Sequence, residues 1–148
     1  MEKTTTPPPP IQRTLFIVKP DAVARKATEE ILQRVTEAGF RICALRSELL
    51  TAERAGQFYH VHRGKPFYDE LVAFMSSGPI LVTVLEKDNA IKELRRVVGA
   101  TDPAQAEPGT IRRDFAESKG RNAVHASDSP ETAREEVGFF FPDANFDD

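Results

Sequence analysis

The hydrophobic pattern of the chain predicts an α+β fold, in which a four-stranded antiparallel sheet carries helices packed on it. Four short runs are continuously apolar or alternate between apolar and polar residues, as strands do, and apolar residues at helical spacing lie between them. The resulting order is strand, helix, strand, helices, strand, helix, strand, helix. This order contains two βαβ-type halves, which is the pattern of the ferredoxin-like split βαβ sandwich. The 148 residues correspond to one domain.

The first two strands flank a predicted helix. The apolar run Leu15–Val18 indicates a buried strand. Apolar residues at helical spacing predict one helix over about residues 22–38, which Gly39 ends. Phe40–Leu50 alternates and indicates the second strand, in which we expect Cys43 to be inert core.

Two short helices and a third strand follow. Thr51 is a good N-cap for a helix that carries Phe58 and Tyr59. The spacing over 67–75 predicts another helix, which a Gly-Pro pair ends, and Ile80–Leu85 indicates the third strand.

The last third of the chain predicts a helix, a loop, a strand and a final helix. Asp88 is expected to cap a helix that ends near Gly99, and residues 99–111 are expected to form a long ordered loop of the kind that is often functional. A short strand is predicted over Asn122–His125. Ser129 then caps a helix that begins with a proline and runs to about residue 140.

Composition predicts the segments of the chain, its compartment and the partners it excludes. We expect residues 1–10 to be a flexible proline-rich leader, 11–141 the folded domain and 142–148 an acidic tail. The leader lacks the apolar core of a secretory signal, and no stretch approaches the roughly 18 apolar residues of a spanning helix, so we expect a cytoplasmic protein that does not enter membranes. With 20 basic and 23 acidic residues the net charge is -3. This balance argues against a specific nucleic-acid partner.

Histidines and basic residues are the candidates for chemistry. His60 and His62 point to different faces of a helix end, which makes them a poor metal pair, and we interpret both as solvated or capping residues. His125 ends a strand just before a helix, where α/β folds gather ligand-binding groups. Lys19, Arg95 and Arg112 also lie at element ends, and arginine suits phosphate. Because no glycine-rich phosphate loop is present, side chains would have to hold any nucleotide phosphates.

Several separated motifs resemble nucleoside diphosphate kinases over about residues 12–141. The stretch Asn122-Ala-Val-His125-Ala-Ser-Asp-Ser129 is similar to the active-site signature N-x-x-H-G-S-D-S of that family. The other matching stretches are Ile17-Val-Lys-Pro-Asp-Ala-Val23, Lys65-Pro-Phe-Tyr68, Ser77-Gly-Pro79, Gly99-Ala-Thr-Asp-Pro103 and Pro108-Gly-Thr-Ile-Arg112. The resemblance implies the ferredoxin-like fold and a ping-pong transfer. His125 would take the γ-phosphoryl of a nucleoside triphosphate, typically ATP, and pass it to a nucleoside diphosphate.

The resemblance also implies roles for further residues. Glu136 would hold the other ring nitrogen of His125, and Lys19 would bind the ribose and neutralise transition-state charge. The remaining substrate-binding residues implied by the resemblance are Arg95, Thr101 and Arg112 on the phosphates, Tyr59 near the transferred group, Asn122 on the ribose, and Phe67 with Leu71 at the base. A stacking platform tolerates every base. Mg²⁺ would be held by the nucleotide phosphates, with no metal site of the protein's own.

Ala126 and Lys119 depart from the family pattern, and other functions stay open. Ala126 stands where the family has glycine, so the turn geometry or the rate is expected to differ, and Lys119 replaces an aliphatic residue beside the base. One alternative is a nucleotide-binding or scaffold protein with feeble turnover. Another is a nucleic-acid-binding ferredoxin-like domain, against which the missing aromatic pair on the strands counts. The resemblance further implies a homo-oligomer, either a tetramer or a hexamer built of dimers.

Overall fold

The computed structural model describes residues 11–143, so the predictions for the leader and for residues 144–148 of the tail lie outside the described residues. The strands are β1 (Ile11–Val18), β2 (Arg41–Glu48), β3 (Ile80–Asp88) and β4 (Val124–Ala126). The α-helices are α1 (Pro20–Ala24), α2 (Thr28–Glu37), α3 (Ala52–Phe58), α4 (Tyr68–Met75), α5 (Ala90–Val98), α6 (Ile111–Phe115) and α7 (Pro130–Phe140). Two short 3₁₀ helices span His60–His62 and Pro103–Gln105.

The four strands form one antiparallel sheet in the order β2-β3-β1-β4, which confirms the predicted fold class. β1 lies inside the sheet, where it pairs with β3 along its whole length and with β4 at its carboxyl end. Within the described residues, β2 and β4 are the edge strands. No helix between residues 11 and 143 is long and apolar enough to cross a membrane.

Helices cover both faces of the sheet, and β1 contributes to the core on each face. Phe16 and Val18 pack with residues of α2, α5 and α6, whereas Leu15 and Ile17 pack with residues of α3, α4 and α7. All four side chains are fully buried. A strand buried on both faces is continuously apolar, which explains why β1 lacks the alternation of a half-exposed strand.

The single helix predicted over residues 22–38 is wrong, because the chain forms α1 and α2 with a break between them. Lys26 has a φ of 60°. The N–H of Lys26 donates to the carbonyl of Val23 and the N–H of Ala27 donates to that of Ala22, each at 3.0 Å. This pair of bonds is the Schellman helix ending, in which glycine usually takes the left-handed position. A lysine there gives no sequence signal of a helix end.

The prediction that Cys43 lies in the core is also wrong, since its side chain is exposed. Ile42 pairs with Leu85 and Ala44 pairs with Val84, so Cys43 is the extra residue of a β-bulge. A bulge changes the sheet face on which the neighbouring side chains lie, and the alternation of residue types in the sequence does not reveal the bulge.

In the second half of the chain, α5 begins one residue later than predicted and α6 was not predicted. Asp88 ends β3 and does not cap α5; the N-cap is Asn89, with a φ of 58° and no side-chain cap bond. The expected loop over 99–111 contains the second 3₁₀ helix and leads directly into α6. Sequence analysis missed α6, although its N-cap Thr110 accepts the Arg113 N–H in the ordinary way.

Candidate active site

His125 lies in the middle of β4, where it pairs with Ile17, and its side chain reaches α7. Its Nε2 lies 2.9 Å from Oε1 of Glu136. The hydroxyl of Ser127 donates to the same carboxylate oxygen at 2.6 Å. The side chains of His125 and Glu136 are 19% and 16% exposed, so solvent screens their contact only partly.

The contact with Glu136 decides which nitrogen of His125 can react. A carboxylate only accepts hydrogen bonds, so Nε2 carries the proton in this pair. In the neutral imidazole the other nitrogen, Nδ1, then keeps its lone pair. The ring is therefore held with a nucleophilic nitrogen that Glu136 does not occupy.

Lys19 and Asn122 form a second pair at the end of β1. The Lys19 ammonium donates to Oδ1 of Asn122 at 3.0 Å, and both residues are buried. Burial lowers the pKa of Lys19 to about 8; the positive charge of Arg112 also lowers it, whereas Asp21 raises it. The side-chain amide of Asn122 donates to the carbonyl of Lys119 at 3.1 Å.

An open cleft of about 310 Å³ has Arg95, Thr101, Arg112 and Ala126 among its lining residues; His125 and Lys19 do not line it, although His125 directly precedes Ala126 in β4. Arg112 is 9% exposed and donates to the carbonyls of Gly99, at 3.3 Å, and of Val124, at 2.9 Å. Burial and then the charge of Arg95 lower its pKa to about 10. Its Nε has no hydrogen-bond partner within the described part of the chain. Two guanidinium groups on one cleft can bind an anion such as phosphate.

Aromatic rings lead from His125 towards the surface. The Tyr59 ring lies 6.1 Å from the His125 ring between centroids, and its buried hydroxyl has no hydrogen-bond partner among residues 11–143. Burial and the charge of Glu136 raise the pKa of Tyr59, so the phenol stays protonated. Phe67 is 47% exposed at the start of α4, and the half-buried Leu71 lies one turn further on.

Sequence analysis missed two residues that lie against this site. His62 is half-buried, and its ring lies 5.2 Å from Phe67 and 6.3 Å from Tyr59 between centroids. Burial first, then the charges of Lys65 and His125, lower the pKa of His62. Ser127 is the other; its position within the histidine signature was the available signal.

The two departures from the family pattern have different surroundings. Ala126 pairs with Phe16 in β4 and is not among the described residues with a positive φ. The expected strain therefore does not occur at Ala126. It occurs three residues earlier, at Ala123, whose φ is 75°. Lys119 is exposed and contacts Asn122 through its backbone carbonyl.

The family model described as nucleoside diphosphate kinase matches residues 12–146. The chain belongs to the nucleoside diphosphate kinase family. It is 53% identical over 131 residues to the nucleoside diphosphate kinase of Chlorobium limicola, covering 88% of this chain and 94% of that protein. It is 55% identical over 130 residues to nucleoside diphosphate kinase 1 of Protochlamydia amoebophila, covering 88% and 92%.

A solved nucleoside diphosphate kinase has the same fold. The crystal structure of the Aquifex aeolicus nucleoside diphosphate kinase superposes with a TM-score of 0.88 at 50% sequence identity. The match covers 89% of this chain and 96% of that one. Nucleoside diphosphate kinases are phosphotransferases, so this chain is an enzyme of that class.

Proposed function

We propose that this chain transfers the γ-phosphoryl of a nucleoside triphosphate, typically ATP, to a nucleoside diphosphate through a phosphohistidine at His125. The single observation that carries the proposal is the contact of His125 Nε2 with Glu136, which leaves the lone pair of Nδ1 for a substrate. A neutral imidazole is a competent nucleophile, and a covalent intermediate divides one difficult transfer into two easier ones.

The transfer takes place in two half-reactions. The Nδ1 lone pair attacks the γ-phosphorus, an N–P bond forms, and the bond from phosphorus to the bridging oxygen breaks with its electrons leaving on the nucleoside diphosphate. A terminal oxygen of a second nucleoside diphosphate then attacks the phosphohistidine, and the N–P bond breaks to regenerate His125. The proton on Nε2 stays in place, and Glu136 stabilises the positive charge that the ring carries in between.

The cations around the cleft would hold the substrate phosphates. Arg95 and Arg112 offer planar donor groups, and Thr101 offers a hydroxyl. Lys19 and Asn122, already paired, would bind the ribose, and Lys19 would also offset charge in the transition state. These assignments rest on the resemblance together with the placement of the side chains.

The base would stack on Phe67 beside Leu71, with Tyr59 nearer the transferred group. Phe67 is the exposed aromatic ring at the outer end of the row that begins at His125. Stacking on a ring face does not distinguish bases, which supports broad tolerance of the base; we propose the same tolerance for the sugar.

We propose that Mg²⁺ arrives with the nucleotide. The described residues contain no group of three His, Cys, Asp or Glu side chains that could hold a metal ion. The arginines that line the cleft suit anionic phosphates and would repel a bare cation, so the ion would enter bound to the phosphates. When bound, Mg²⁺ neutralises phosphate charge. Arg95, Thr101 and Arg112 would hold the phosphates of this complex.

We also propose a homo-oligomer, either a tetramer or a hexamer built of dimers, that acts in the cytoplasm. Within the described residues β2 pairs on one side only, and its Leu45 is 51% exposed. An unpaired edge strand with an exposed apolar residue is a template for contact with another chain. Light scattering should give four or six times the 16.5 kDa of the monomer, and a monomeric mass would exclude the oligomer.

The decisive experiment labels the protein with γ-labelled ATP and then adds GDP or dCDP. We expect an acid-labile, base-stable label on the wild type that moves onto the added diphosphate, and no label on His125→Ala. His60→Ala is the matched control, because His60 is an exposed histidine whose ring contacts the backbone carbonyl of Gln57 and not Glu136. Full transfer by His125→Ala would refute the proposal. Tight nucleotide binding without labelling would favour a scaffold, and salt-sensitive binding of single-stranded oligonucleotides would favour a nucleic-acid partner.

A further inference from the structure

Asp21, in α1, is a buried carboxylate that none of the assignments above uses. It is 5% exposed. Its Oδ2 accepts the backbone N–H of Ala123 at 3.1 Å, and its Oδ1 is buried with no hydrogen-bond partner among the described residues. Burial of a carboxylate that is only half satisfied is unfavourable. Costs of this kind are concentrated at functional sites.

The backbone that Asp21 contacts is itself strained. Ala123 has a φ of 75°, and the N–H of Val124 donates to the carbonyl of Asn122 at 2.9 Å. A hydrogen bond between residues two apart around a positive φ makes a γ-turn, which is rare and unfavourable for residues other than glycine. Such a turn persists only where its surroundings hold it.

The segment from Lys19 to Asp21 holds both polar groups of Ala123. The backbone N–H of Lys19 donates to the Ala123 carbonyl at 2.8 Å, while the Asp21 carboxylate accepts the Ala123 N–H. The turn therefore bonds to the end of β1 and the start of α1 on its two sides. We call these two bonds the Ala123 clamp.

The Ala123 clamp lies between the two functional pairs of the site. Asn122, the first residue of the turn, accepts a hydrogen bond from the Lys19 ammonium. β4 begins at the last residue of the turn and carries His125. A relaxed turn would shift Asn122 relative to Lys19 and would re-aim the start of β4. A displacement of about 1 Å of a reacting group can cost about 100-fold in rate.

We propose that Asp21 is a positioning residue of the phosphoryl-transfer site, which holds the strained turn at Ala123 so that Asn122 and His125 keep their productive placement. The inference rests on the proposed function above, because it assigns Asp21 to the transfer through His125. Asp21 itself touches no group that reacts. It acts through the backbone of Ala123 and through its charge beside Lys19.

The charge of Asp21 supports the same assignment. Burial and Arg112 both lower the pKa of Lys19, and Asp21 opposes them. Arg112 in turn faces Arg95 and the phenol of Tyr59. Asp21 is thus the negative charge that favours the ammonium form of Lys19, the form that can bind an anionic substrate.

The test compares Asp21→Ala, Asp21→Asn and a control of similar destabilisation. Val35→Ala is that control, because Val35 is fully buried in α2 among residues of the core on the α2 and α5 face. Three quantities are measured in the full chain: the single-turnover rate of His125 labelling from γ-labelled ATP, the pH profile of kcat/KM, and hydrogen exchange of the Ala123 amide.

Asp21→Ala should lower the labelling rate by about 10- to 100-fold and speed exchange of the Ala123 amide. Asp21→Asn should keep most of the rate at pH 7, because its amide oxygen still accepts the Ala123 N–H. The alkaline limb of its kcat/KM profile should move to lower pH than in the wild type, because Lys19 has lost its negative neighbour. Val35→Ala should label at the wild-type rate.

Labelling of folded Asp21→Ala at the wild-type rate would overturn the inference, as would an unmoved alkaline limb in Asp21→Asn. If Asp21→Ala does not fold, the Asn variant decides by its pH profile alone. A wild type that is not labelled at His125 would refute the proposed function instead. Exchange at Ala123 in the Asp21 variants would then still test the clamp separately.

Discussion

Replacement of Glu136 by alanine tests how the site activates His125. The substitution removes the acceptor of both the His125 Nε2–H and the Ser127 hydroxyl. Nothing then holds the imidazole in the tautomer that leaves Nδ1 free, and no negative charge faces the ring when it becomes positive during transfer. Glu136→Ala should therefore slow formation of the phosphohistidine.

The size of the effect follows from the geometry of the contact. Its length is 2.9 Å, and both side chains are less than one fifth exposed, so it is a charge-assisted hydrogen bond with little screening by solvent. Hydrogen bonds to charged groups contribute about 1.5–3 kcal/mol. Lost in the transition state, this free energy corresponds to a rate lower by about 10- to 150-fold.

The assay is rapid-quench labelling with γ-labelled ATP under single-turnover conditions. Glu135→Ala is the matched control, because Glu135 is the exposed neighbour on the same helix, and it should label like the wild type. Denaturant unfolding of both variants separates an effect on rate from one on stability. A Glu136→Ala protein that is folded and labels as fast as the Glu135→Ala control would refute the tautomer argument.

Three further predictions concern the remainder of the site. Because the pKa of Lys19 is lowered to about 8 and the ammonium is the active form, kcat/KM should fall as pH rises through about 8. The pH profile of Lys19→Gln should lack this alkaline fall. If the fall persists in Lys19→Gln, it does not come from Lys19. Gly99→Ala should lower the free energy of unfolding, measured in urea, by about 1–3 kcal/mol. The reason is that Gly99 has a φ of 90° and a ψ of 178°, and the new Cβ would lie 2.6 Å from Oγ1 of Thr110. An unchanged free energy of unfolding would show that the turn relaxes freely. Phe67→Ala should raise the nucleotide KM by about 5- to 150-fold for purines and pyrimidines alike. Val61→Ala also removes an exposed apolar side chain and should leave the KM unchanged. If the two variants raise the KM equally, stacking on Phe67 is contradicted.

Local sequence patterns predicted the elements whose signals are local. The signals for β1 and β3, which are rich in apolar residues, and for the N-caps Thr51 and Ser129 each depend on residues a few positions apart. All four agree with the structure. The pairing of His125 with Glu136 is implied by the resemblance and not by a local pattern, and the two side chains lie within hydrogen-bond distance of each other.

Local patterns failed where the backbone departs from a regular helix or strand and the residue types give no signal of it. Lys26 takes the position of a glycine at a helix end, and Cys43 is the extra residue of a bulge. His62 lies against Tyr59 and Phe67 because a 3₁₀ helix turns the chain after α3. A two-residue spacing on a regular helix would have placed His60 and His62 on different faces, but it could not show what either face contacts.

The sequence by itself determined the fold class and the family of this protein, and it indicated His125 as the candidate nucleophile and the cations that suit phosphate. Tertiary structure alone decided how those groups are held. Asp21 and Ala123 are 102 residues apart in the chain and meet only when β1 and β4 pair. Periodicity and capping report interactions over a few residues, whereas a strained turn is stabilised by partners that only the folded chain brings together. The γ-turn at Ala123 is therefore invisible in the sequence, although it directly precedes the strand that carries His125.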